Sequence, residues 1–579
     1  MAFSKLALLA SAAACVSALA VPSPVRSIID TASDECRLPP PIDPSGDRLP
    51  HSSALWGGAA ALRLQVRRHQ AVVRVPSICY DDLGAIGDDG RWAPFDELHC
   101  VLRKTYPTVQ LNEDPSKANA GSRYKHAAVE TINTYGLLYT VRGSDPALKP
   151  VLLMAHQDVV PVADASTWTH PPFAAHYDGQ FLWGRGASDD KNSLTALLST
   201  LETMLSLRSW KPRRTMLVSL GFDEECSGFR GAAHIAAELT SRYGDGGLAV
   251  VLDEGGFGIQ TVGDVKYVLP SITEKGHVDV WFDLDVIGGH SSIPAPHTGI
   301  GIVAEIVAAL EAHPYAPVLT TANPVYAHMA CLARYSPAAR PEITERVRSG
   351  DVQGLAAVLD AAGAAEAYTV RTAQAVDFIR GGQKINAMPE KVTLGVNYRV
   401  TLDDGIYKVL HNIVKYVDPV VKRYNLSVAA FEGDDGYAAY AAKAGAPVDA
   451  AYATNAKGKL TIKTAETSQP APVSPMHGKV WDTFSGTAQH TLAFDGTVVP
   501  VGETMTGNTD TRHYQNLTPN IYRFTPAAAG SSYNIHTIDE RVDMHEHMKM
   551  IAFYYDFVRN FDAAVLEGES APEQDNLEL

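Results

Sequence analysis

A histidine and an acid stand at the end of an apolar run in LLMAHQDVVPV, residues 152–162. His156 and Asp158 are two positions apart, so their side chains share one face of an extended chain. A histidine beside an acid is typical of a metal ligand whose tautomer is fixed by a second group. The same spacing is common at strand ends without a metal. The pair alone therefore marks only a candidate ligand.

Three further clusters of acids occur later in the chain. They are Asp189-Asp190 in WGRGASDDKNS, Asp223-Glu224-Glu225 after RTMLVSLGF, and Asp253-Glu254 after LAVVL. Ligands in open α/β sheets gather at the carboxyl ends of strands, so these clusters are expected to converge on His156. Several carboxylates that meet in a partly buried place repel one another unless a cation lies between them. The set of clusters predicts a metal centre.

The segments that would position these residues are short apolar runs. PVLLMA, RTMLVSLGF and LAVVL contain β-branched residues and are typical of buried strands in a parallel sheet. Between the first two, SLTALLSTLETMLSL has leucines at helical spacing. A strand, a helix and a second strand in this order predict an α/β sandwich with right-handed crossovers.

A second pattern begins near residue 275. HVDVWFDLDVIG and KVTLGVNYRVTL alternate apolar and polar residues, as half-exposed strands do, and each is close to a helical run. This pattern predicts a separate, smaller α+β domain. Within it, residues 336–379 are rich in alanine and predicted to be helical, whereas residues 435–480 are predicted to form a long irregular loop.

The N-terminus has the order of a secretory signal peptide, with one lysine, an apolar run and the small residues Ala18-Leu19-Ala20. No later apolar run reaches about 18 residues, so a soluble mature protein is expected. The predicted divisions are a signal peptide (1–20), a propeptide or extended arm (21–55), a catalytic domain in two parts (56–274 and 433–565), an inserted lid domain (275–432) and a disordered tail (566–579).

The net charge and the cysteines indicate which kinds of partner and which cellular compartment fit this protein. The net charge of −16 gives no case for a nucleic-acid partner. Six cysteines are present, and Cys15 lies in the predicted signal; the odd number left predicts at least one unpaired thiol. Sequons at Asn425 and Asn516 fit a glycoprotein of the secretory route. The vacuole lumen and the extracellular space both fit this route.

As a set, these motifs resemble the M20 metallopeptidase family. The order is H-x-D, G-R-G-x-x-D-D-K, E-E, D-E-G-G and a late histidine. GRGASDDKNS, DEECSG, VLDEGG and GNTDTRHY resemble its carboxypeptidase S branch, also called Gly-X carboxypeptidase, over about residues 60–560. The resemblance implies a zinc-peptidase α/β sandwich with a smaller α+β, ferredoxin-like lid, and two Zn²⁺ per subunit.

The resemblance also implies a role for each ligand. His156, Asp189 and Asp253 would hold one zinc, and Asp189, Glu225 and His536 the other. Asp189 would be shared, and relatives commonly have a cis peptide bond after it. Some relatives use the position of Glu254 instead of Asp253, and that alternative stays open.

Catalytic and substrate-binding roles follow from the same resemblance. Glu224 would act as general base on a zinc-activated water, Asp158 would set the tautomer of His156, and His290 in GGHSSIP would donate a hydrogen bond to the oxyanion. A terminal carboxylate suits recognition by arginine, for which Arg512 is the first candidate and Arg399 the second. Asn386 in KINAMPE resembles a lid asparagine that contacts substrate.

The function predicted from the sequence is a zinc carboxypeptidase that removes the C-terminal residue of short peptides. A hydrolase or synthase of N-fatty-acyl amino acids would use the same metal centre with a different acyl pocket. A non-catalytic binding protein is the alternative from another class, and the filled ligand positions count against it. A homodimer formed through the lid is a further expectation from the resemblance.

Overall fold

The computed structural model describes residues 36–109, 127–445 and 456–570 of the 579-residue chain. The predicted signal peptide, residues 21–35 of the predicted arm and residues 571–579 of the predicted tail lie outside this part. The helices are α1 (Ser52–Trp56), α2 (Ala59–Val73), α3 (Ala93–Thr105), α4 (Lys191–Ser206), α5 (Ala232–Tyr243), α6 (Gly299–Glu311), α7 (Pro324–Tyr335), α8 (Pro341–Ser349), α9 (Val352–Ala361), α10 (Ala364–Val370), α11 (Ile406–Tyr424), α12 (Asp435–Ala444), α13 (Gly478–Thr491) and α14 (Met544–Ala563).

The strands fall into several sheets, and most are short. They are β1 (Ala127–Ile132), β2 (Gly136–Val141), β3 (Val151–His156), β4 (His176–Tyr177), β5 (Phe181–Trp183), β6 (Met216–Gly221), β7 (Val250–Asp253), β8 (Ile259–Val262), β9 (Val265–Val268), β10 (Ser271–Glu274), β11 (Gly276–Val286), β12 (Gly289–His290), β13 (Ala373–Gly381), β14 (Ala387–Met388), β15 (Lys391–Val400), β16 (Leu426–Ala430), β17 (Gly458–Ser468), β18 (Thr497–Pro500), β19 (Glu503–Met505), β20 (Ile521–Arg523), β21 (Ser532–Tyr533) and β22 (Arg541–Asp543).

The central sheet has the order β1-β2-β6-β3-β7-β20-β10-β19. Its middle strands are parallel, with β3 between β6 and β7. Alternate side chains of β3 pack on opposite faces: Leu153 lies in the core with α4 and α14, and Leu152 lies in the core with α5. Helices on both faces of a mostly parallel sheet form the predicted α/β sandwich.

The smaller domain is built on a five-stranded sheet of order β13-β15-β11-β17-β16. Its buried face packs against α6 and α11, whose apolar residues share one core with β11 and β15. Residues 458–468 form β17, which pairs with β11. The sheet of the smaller domain therefore continues past residue 432, where its end was predicted.

Two predictions about irregular and helical segments need correction. Residues 435–480 are not one long loop, because α12 and β17 lie within them. The segment 336–379 is helical only as far as Val370, and residues 373–381 form the edge strand β13. Its helices α8 and α9 pack with α7 against β9 and β18, away from the core of the smaller domain. Their apolar faces are covered by a second small sheet instead.

Disulfides connect Cys36 to Cys331 and Cys79 to Cys226, and Cys100 is unpaired and exposed. The unpaired thiol agrees with the odd number of cysteines. Among the described residues, the helices are all too short or too polar to cross a membrane.

Candidate metal centre

The acid clusters meet at one edge of the central sheet. His156 is the last residue of β3, and β6 and β7 are its two neighbours. β6 ends just before the turn that carries Glu224 and Glu225, and β7 ends at Asp253. Because the three strands are parallel, their carboxyl ends bring these residues to the same place, as the sequence predicts.

Asp189 lies between two histidines that are far apart in the sequence. Its Oδ1 is 3.0 Å from Nε2 of His156, and its Oδ2 is 3.1 Å from Nε2 of His536. Nε2 of His536 is also 3.1 Å from the carboxylate of Glu225. One carboxylate thus reaches both imidazoles with separate oxygens. His156 is buried, whereas the side chain of His536 is half exposed.

Asp158 connects His156 to the turn that carries the predicted base. Its Oδ1 is 3.2 Å from Nδ1 of His156, and its two oxygens accept hydrogen bonds from the backbone amides of Glu224 and Glu225 at 3.1 and 3.0 Å. An acid that accepts the Nδ1 proton of a neutral imidazole leaves Nε2 unprotonated, so the lone pair of Nε2 is available to the cluster. This is the geometry required for the tautomer-setting role predicted for Asp158.

Glu254, not Asp253, reaches His156. Oε1 of Glu254 is 3.2 Å from Nε2 of His156, whereas no ion pair joins Asp253 to either histidine within the described part of the chain. Adjacent residues at a strand end point to opposite sides. Asp253 is buried, and the charges of Arg523, Glu274 and His156 act on it there. Of the two alternatives for this position, the structure places Glu254, and not Asp253, against His156.

In the loop before Asp189, the backbone at Gly186 passes close to the side chain of Val159. Gly186 has φ +78°, and a Cβ built there would lie 2.3 Å from Cγ1 of Val159. A larger residue would displace Val159, which immediately follows Asp158. The peptide bond from Asp189 to Asp190 is cis, as the resemblance implies.

The charges in the cluster are poorly balanced by protein groups alone. Burial raises the pKa of Glu224 well above its usual range, and it raises the pKa of Glu225 and of Glu254 to about 7. Hydrogen bonds with Asp189 and Glu225 raise the pKa of His536 to about 10. Bound cations would compensate carboxylates that are crowded and buried in this way beside two imidazoles.

The donor set fits divalent cations. Ligand atoms of His156, Asp189 and Glu225 lie within 4.8 Å of one another, and so do those of His156, Glu224 and Glu254. Imidazole nitrogens and carboxylate oxygens are common zinc ligands with bonds of about 2.0–2.2 Å. The 3.0–3.2 Å separations show that these donor atoms are close enough for neighbouring ones to bind one ion.

Glu224 differs from Glu225 and Glu254, the two other glutamates of the cluster. Within the described part of the chain, its carboxylate forms no hydrogen bond or ion pair, although it lines the same cavity as Asp189 and His536. Glu225 is engaged by His536 and Glu254 by His156. Within the described residues, Glu224 thus lines the cavity without a side-chain partner, whereas Glu225 and Glu254 each contact an imidazole.

The cavity at the cluster has a volume of about 980 Å³, and both predicted arginines line it. Arg512 donates to Glu466 at 2.7 Å and is neutralised by it. Arg399 donates to the neutral amide oxygen of Asn508 at 2.6 Å. No carboxylate of the described residues lies within ion-pair distance of Arg399. Of the two predicted arginines, Arg399 is therefore the one without a carboxylate partner among the described residues.

His290 and Asn386 do not line this cavity. They lie together at the tip of the smaller domain, where β12 pairs with β14, and line a separate cavity of about 890 Å³. Nδ1 of His290 accepts a hydrogen bond from the backbone amide of Ser292 at 3.1 Å, and the ring is exposed. The structure brings these two predicted residues to each other but not to the metal-ligand cluster.

Two contributors to the site were not predicted from the sequence. Glu466 of β17 accepts hydrogen bonds from Arg512 and from Oγ of Ser227, next to the turn of Glu224 and Glu225. The alternating pattern of KLTIKTAETS could have identified β17 and its inward side chains. The disulfide between Cys79 and Cys226 fixes the end of the same turn, but pairings cannot be read from cysteine positions alone.

Comparison with known proteins agrees with this architecture. A model of peptidase family M20/M25/M40 matches residues 152–560. The chain is 37% identical over 542 residues to an uncharacterized carboxypeptidase of Schizosaccharomyces pombe, covering 91% of this chain and 85% of that protein. It is 34% identical over 550 residues to carboxypeptidase S of Saccharomyces cerevisiae, covering 91% and 89%.

Two further relatives are less similar to this chain. The chain is 30% identical to the human N-fatty-acyl-amino acid synthase/hydrolase PM20D1, covering 85% of this chain and 91% of that protein. The solved structure of the dipeptidase Dug1p from Saccharomyces cerevisiae aligns with a TM-score of 0.59 at 12% identity, covering 89% and 99%. The latter likeness confirms the predicted α/β fold class.

Proposed function

Because the chain belongs to peptidase family M20 and is a peptidase, we propose that it is a dizinc carboxypeptidase that cleaves the C-terminal amide bond of short peptides, such as those with glycine in the penultimate place. Asp189, His156 and Glu254 would hold one zinc. Asp189, Glu225 and His536 would hold the other.

The observation that carries this proposal is the position of Asp189. Its two oxygens contact Nε2 of His156 and Nε2 of His536 at 3.0 and 3.1 Å. The carboxylate of Glu224, which has no partner among the described residues, lines the same cavity. A carboxylate shared between two histidine-containing ligand sets is the arrangement expected of a two-metal site. A glycosidase-like pair of acids would not need either histidine.

Each residue has a distinct task in this proposal. When bound, the two cations supply the polarisation of the scissile carbonyl and lower the pKa of water. Glu224 accepts a proton from the attacking water and delivers it to the leaving nitrogen. Asp158 keeps His156 in the tautomer whose Nε2 faces the cluster, and it holds the backbone of Glu224 in place.

Arg399 is proposed to bind the terminal carboxylate of the substrate. Its guanidinium lines the cavity, and its hydrogen-bond partner among the described side chains is the neutral amide of Asn508. A charge-assisted hydrogen bond to a carboxylate contributes about 1.5–3 kcal/mol, more than one between neutral groups. Arg512, which already pairs with Glu466, would shape the wall of the cavity instead.

The test measures hydrolysis by zinc-loaded protein. The substrates are Gly-X dipeptide derivatives and N-fatty-acyl amino acids, and each is supplied both as a free acid and as a C-terminal amide. We expect the peptide acids to be cleaved, with kcat/KM about one to two orders of magnitude above the amides. Arg399→Gln should bring the ratio of kcat/KM for acid over amide close to 1, whereas Arg512→Gln should leave that ratio unchanged. Equal cleavage of acid and amide by the parent protein would contradict the proposed carboxylate recognition.

N-fatty-acyl amino acids are the second candidate substrates. The identity with the human N-fatty-acyl-amino acid synthase/hydrolase favours them, and the metal centre would be unchanged. The lining of the cavity favours peptides, because acids such as Asp81, Asp279 and Glu466 line it near the ligand cluster. A fatty-acyl chain would gain little from such polar walls. Faster cleavage of the fatty-acyl substrates in the same panel would select this alternative.

His290 is proposed to reach the oxyanion from a second copy of the chain. It lies at the exposed tip of the smaller domain, near the free edge of β13 and the exposed side chains of Ile379 and Ile385. Sedimentation is expected to give a dimer for the parent protein and a smaller species for Ile379→Lys. A parent protein that is monomeric at concentrations where it is fully active would contradict this.

A secretory destination, in the vacuole lumen or outside the cell, is proposed from the two disulfides and the signal-like N-terminus. Disulfides persist in oxidising compartments and are rare in the cytosol. The sequon at Asn516 is exposed and could carry a glycan.

A further inference from the structure

A fully buried glutamate lies behind the shared ligand. Glu540 follows His536 by four residues and is inaccessible to solvent. Its carboxylate accepts hydrogen bonds from the backbone amides of Gly186, Ser188 and Asp189 at 2.9, 2.8 and 3.1 Å. All three amides belong to the loop that ends at Asp189.

The fourth partner of Glu540 comes from the same loop. Nη1 of Arg185 donates to Oε2 at 2.6 Å, and both side chains are buried. The backbone carbonyl of Glu540 accepts a hydrogen bond from Gly184 as well. Glu540 therefore contacts residues 184, 185, 186, 188 and 189 of this loop through one side chain and one carbonyl.

Strand pairing explains why these two segments meet. β5 and β22 are antiparallel, and Trp183 lies opposite Arg541. The loop toward Asp189 leaves the end of β5, and the segment from His536 to Glu540 enters the start of β22. Asp189 and His536, two of the three residues proposed to hold the second zinc, therefore lie on loops at the same end of one strand pair.

We infer that Glu540 is a positioning residue that sets the distance between Asp189 and His536. Three amides aimed at a buried carboxylate allow little freedom, because displacement of the loop would leave either the donors or the charge without partners. The contacts of Asp189 to both imidazoles depend on the position of its backbone. Groups that orient metal ligands in this way typically affect metal affinity or activity about 10- to 100-fold.

The inference rests on the proposed metal centre, and the test separates the two. Zinc affinity and stoichiometry are measured by competition with a chromophoric chelator on the full chain. Cobalt-substituted protein supplies an absorption spectrum that reports ligand geometry. Glu540→Gln is expected to bind zinc about 10- to 100-fold more weakly and to change the cobalt spectrum. The parent protein is expected to bind two ions.

The matched control is Glu202→Gln. Glu202 is also buried, and its carboxylate accepts hydrogen bonds from the backbone amides of Thr108 and Val109, which carry no ligand. This variant should keep the zinc affinity and the cobalt spectrum of the parent, whatever its thermal stability. Equal zinc affinity in Glu540→Gln and the parent would overturn the inference.

A second variant covers the case in which Glu540→Gln does not fold. Glu540→Asp keeps the charge but is one methylene too short to reach all three amides, so we expect weakened zinc binding in a folded protein. Parent-like zinc affinity in Glu540→Asp would overturn the inference. A parent protein that binds no zinc would instead reject the metal centre itself.

Discussion

Glu224→Gln is expected to lower kcat by about 10²- to 10⁴-fold while leaving the bound metal in place. The amide keeps the shape of the side chain but cannot accept a proton from water. Because the ligand sets proposed above do not include Glu224, the metal stoichiometry should not change. The measurement is steady-state hydrolysis of a Gly-X substrate together with metal analysis of the same preparation.

The control for this variant is Asp81→Asn. Asp81 lines the same cavity and is exposed, so its replacement removes one negative charge without touching the ligand cluster. Its kcat should remain close to that of the parent. If Glu224→Gln turned over at the parent rate, Glu224 would not be the base. If it lost metal, Glu224 would be a ligand, as its proximity to His156 and Glu254 allows.

The parts of the site that could be predicted are those fixed by strand ends. An apolar run followed by His156 or by Glu224-Glu225 predicts both a buried strand and a polar residue at its carboxyl end. Parallel pairing of β3 with β6 and β7 then brings these residues together without further information. His536 could be assigned only from the resemblance, because its loop has no periodic pattern.

Other parts depend on contacts that the linear sequence does not contain. Whether Asp253 or Glu254 reaches His156 depends on where β7 ends, and a shift of one residue reverses the outcome. The preference between Arg399 and Arg512 depends on Glu466, which reaches Arg512 through the pairing of β17 with β11. In the sequence NIHTIDE, no pattern distinguishes Glu540 from other acids. Its position behind Asp189 follows from the pairing of β22 with β5.

The smaller domain was predicted less well than the central sheet for a related reason. Its sheet is assembled from strands separated by the helices α7 to α10, and these helices pack elsewhere, against β9 and β18. A contiguous stretch of sequence therefore does not correspond to a contiguous core. Alternation identified β11 and β15 correctly, but it could not show that β17 joins them.

Removal of metal is expected to abolish activity and to destabilise the fold at the ligand cluster. Treatment with 1,10-phenanthroline should bring hydrolysis to background, and added zinc should restore it. The non-chelating isomer 1,7-phenanthroline is the control and should have no effect. Full activity in protein shown by elemental analysis to be metal-free would contradict a metal-dependent mechanism.

The stability effect follows from the same electrostatics and has its own measurement. Without cations, the carboxylates of Asp189, Glu225 and Glu254 would be close together, and their ion-pair partners among the described residues are His156 and His536. An ion that binds only the folded state stabilises it by about 2.7 kcal/mol at 100 times its Kd. Thermal unfolding should therefore shift upward as zinc is added back, and Asp189→Asn, which weakens both sites, should lose most of that shift. An equal zinc-dependent shift in Asp189→Asn and the parent would show that the ions do not share this carboxylate.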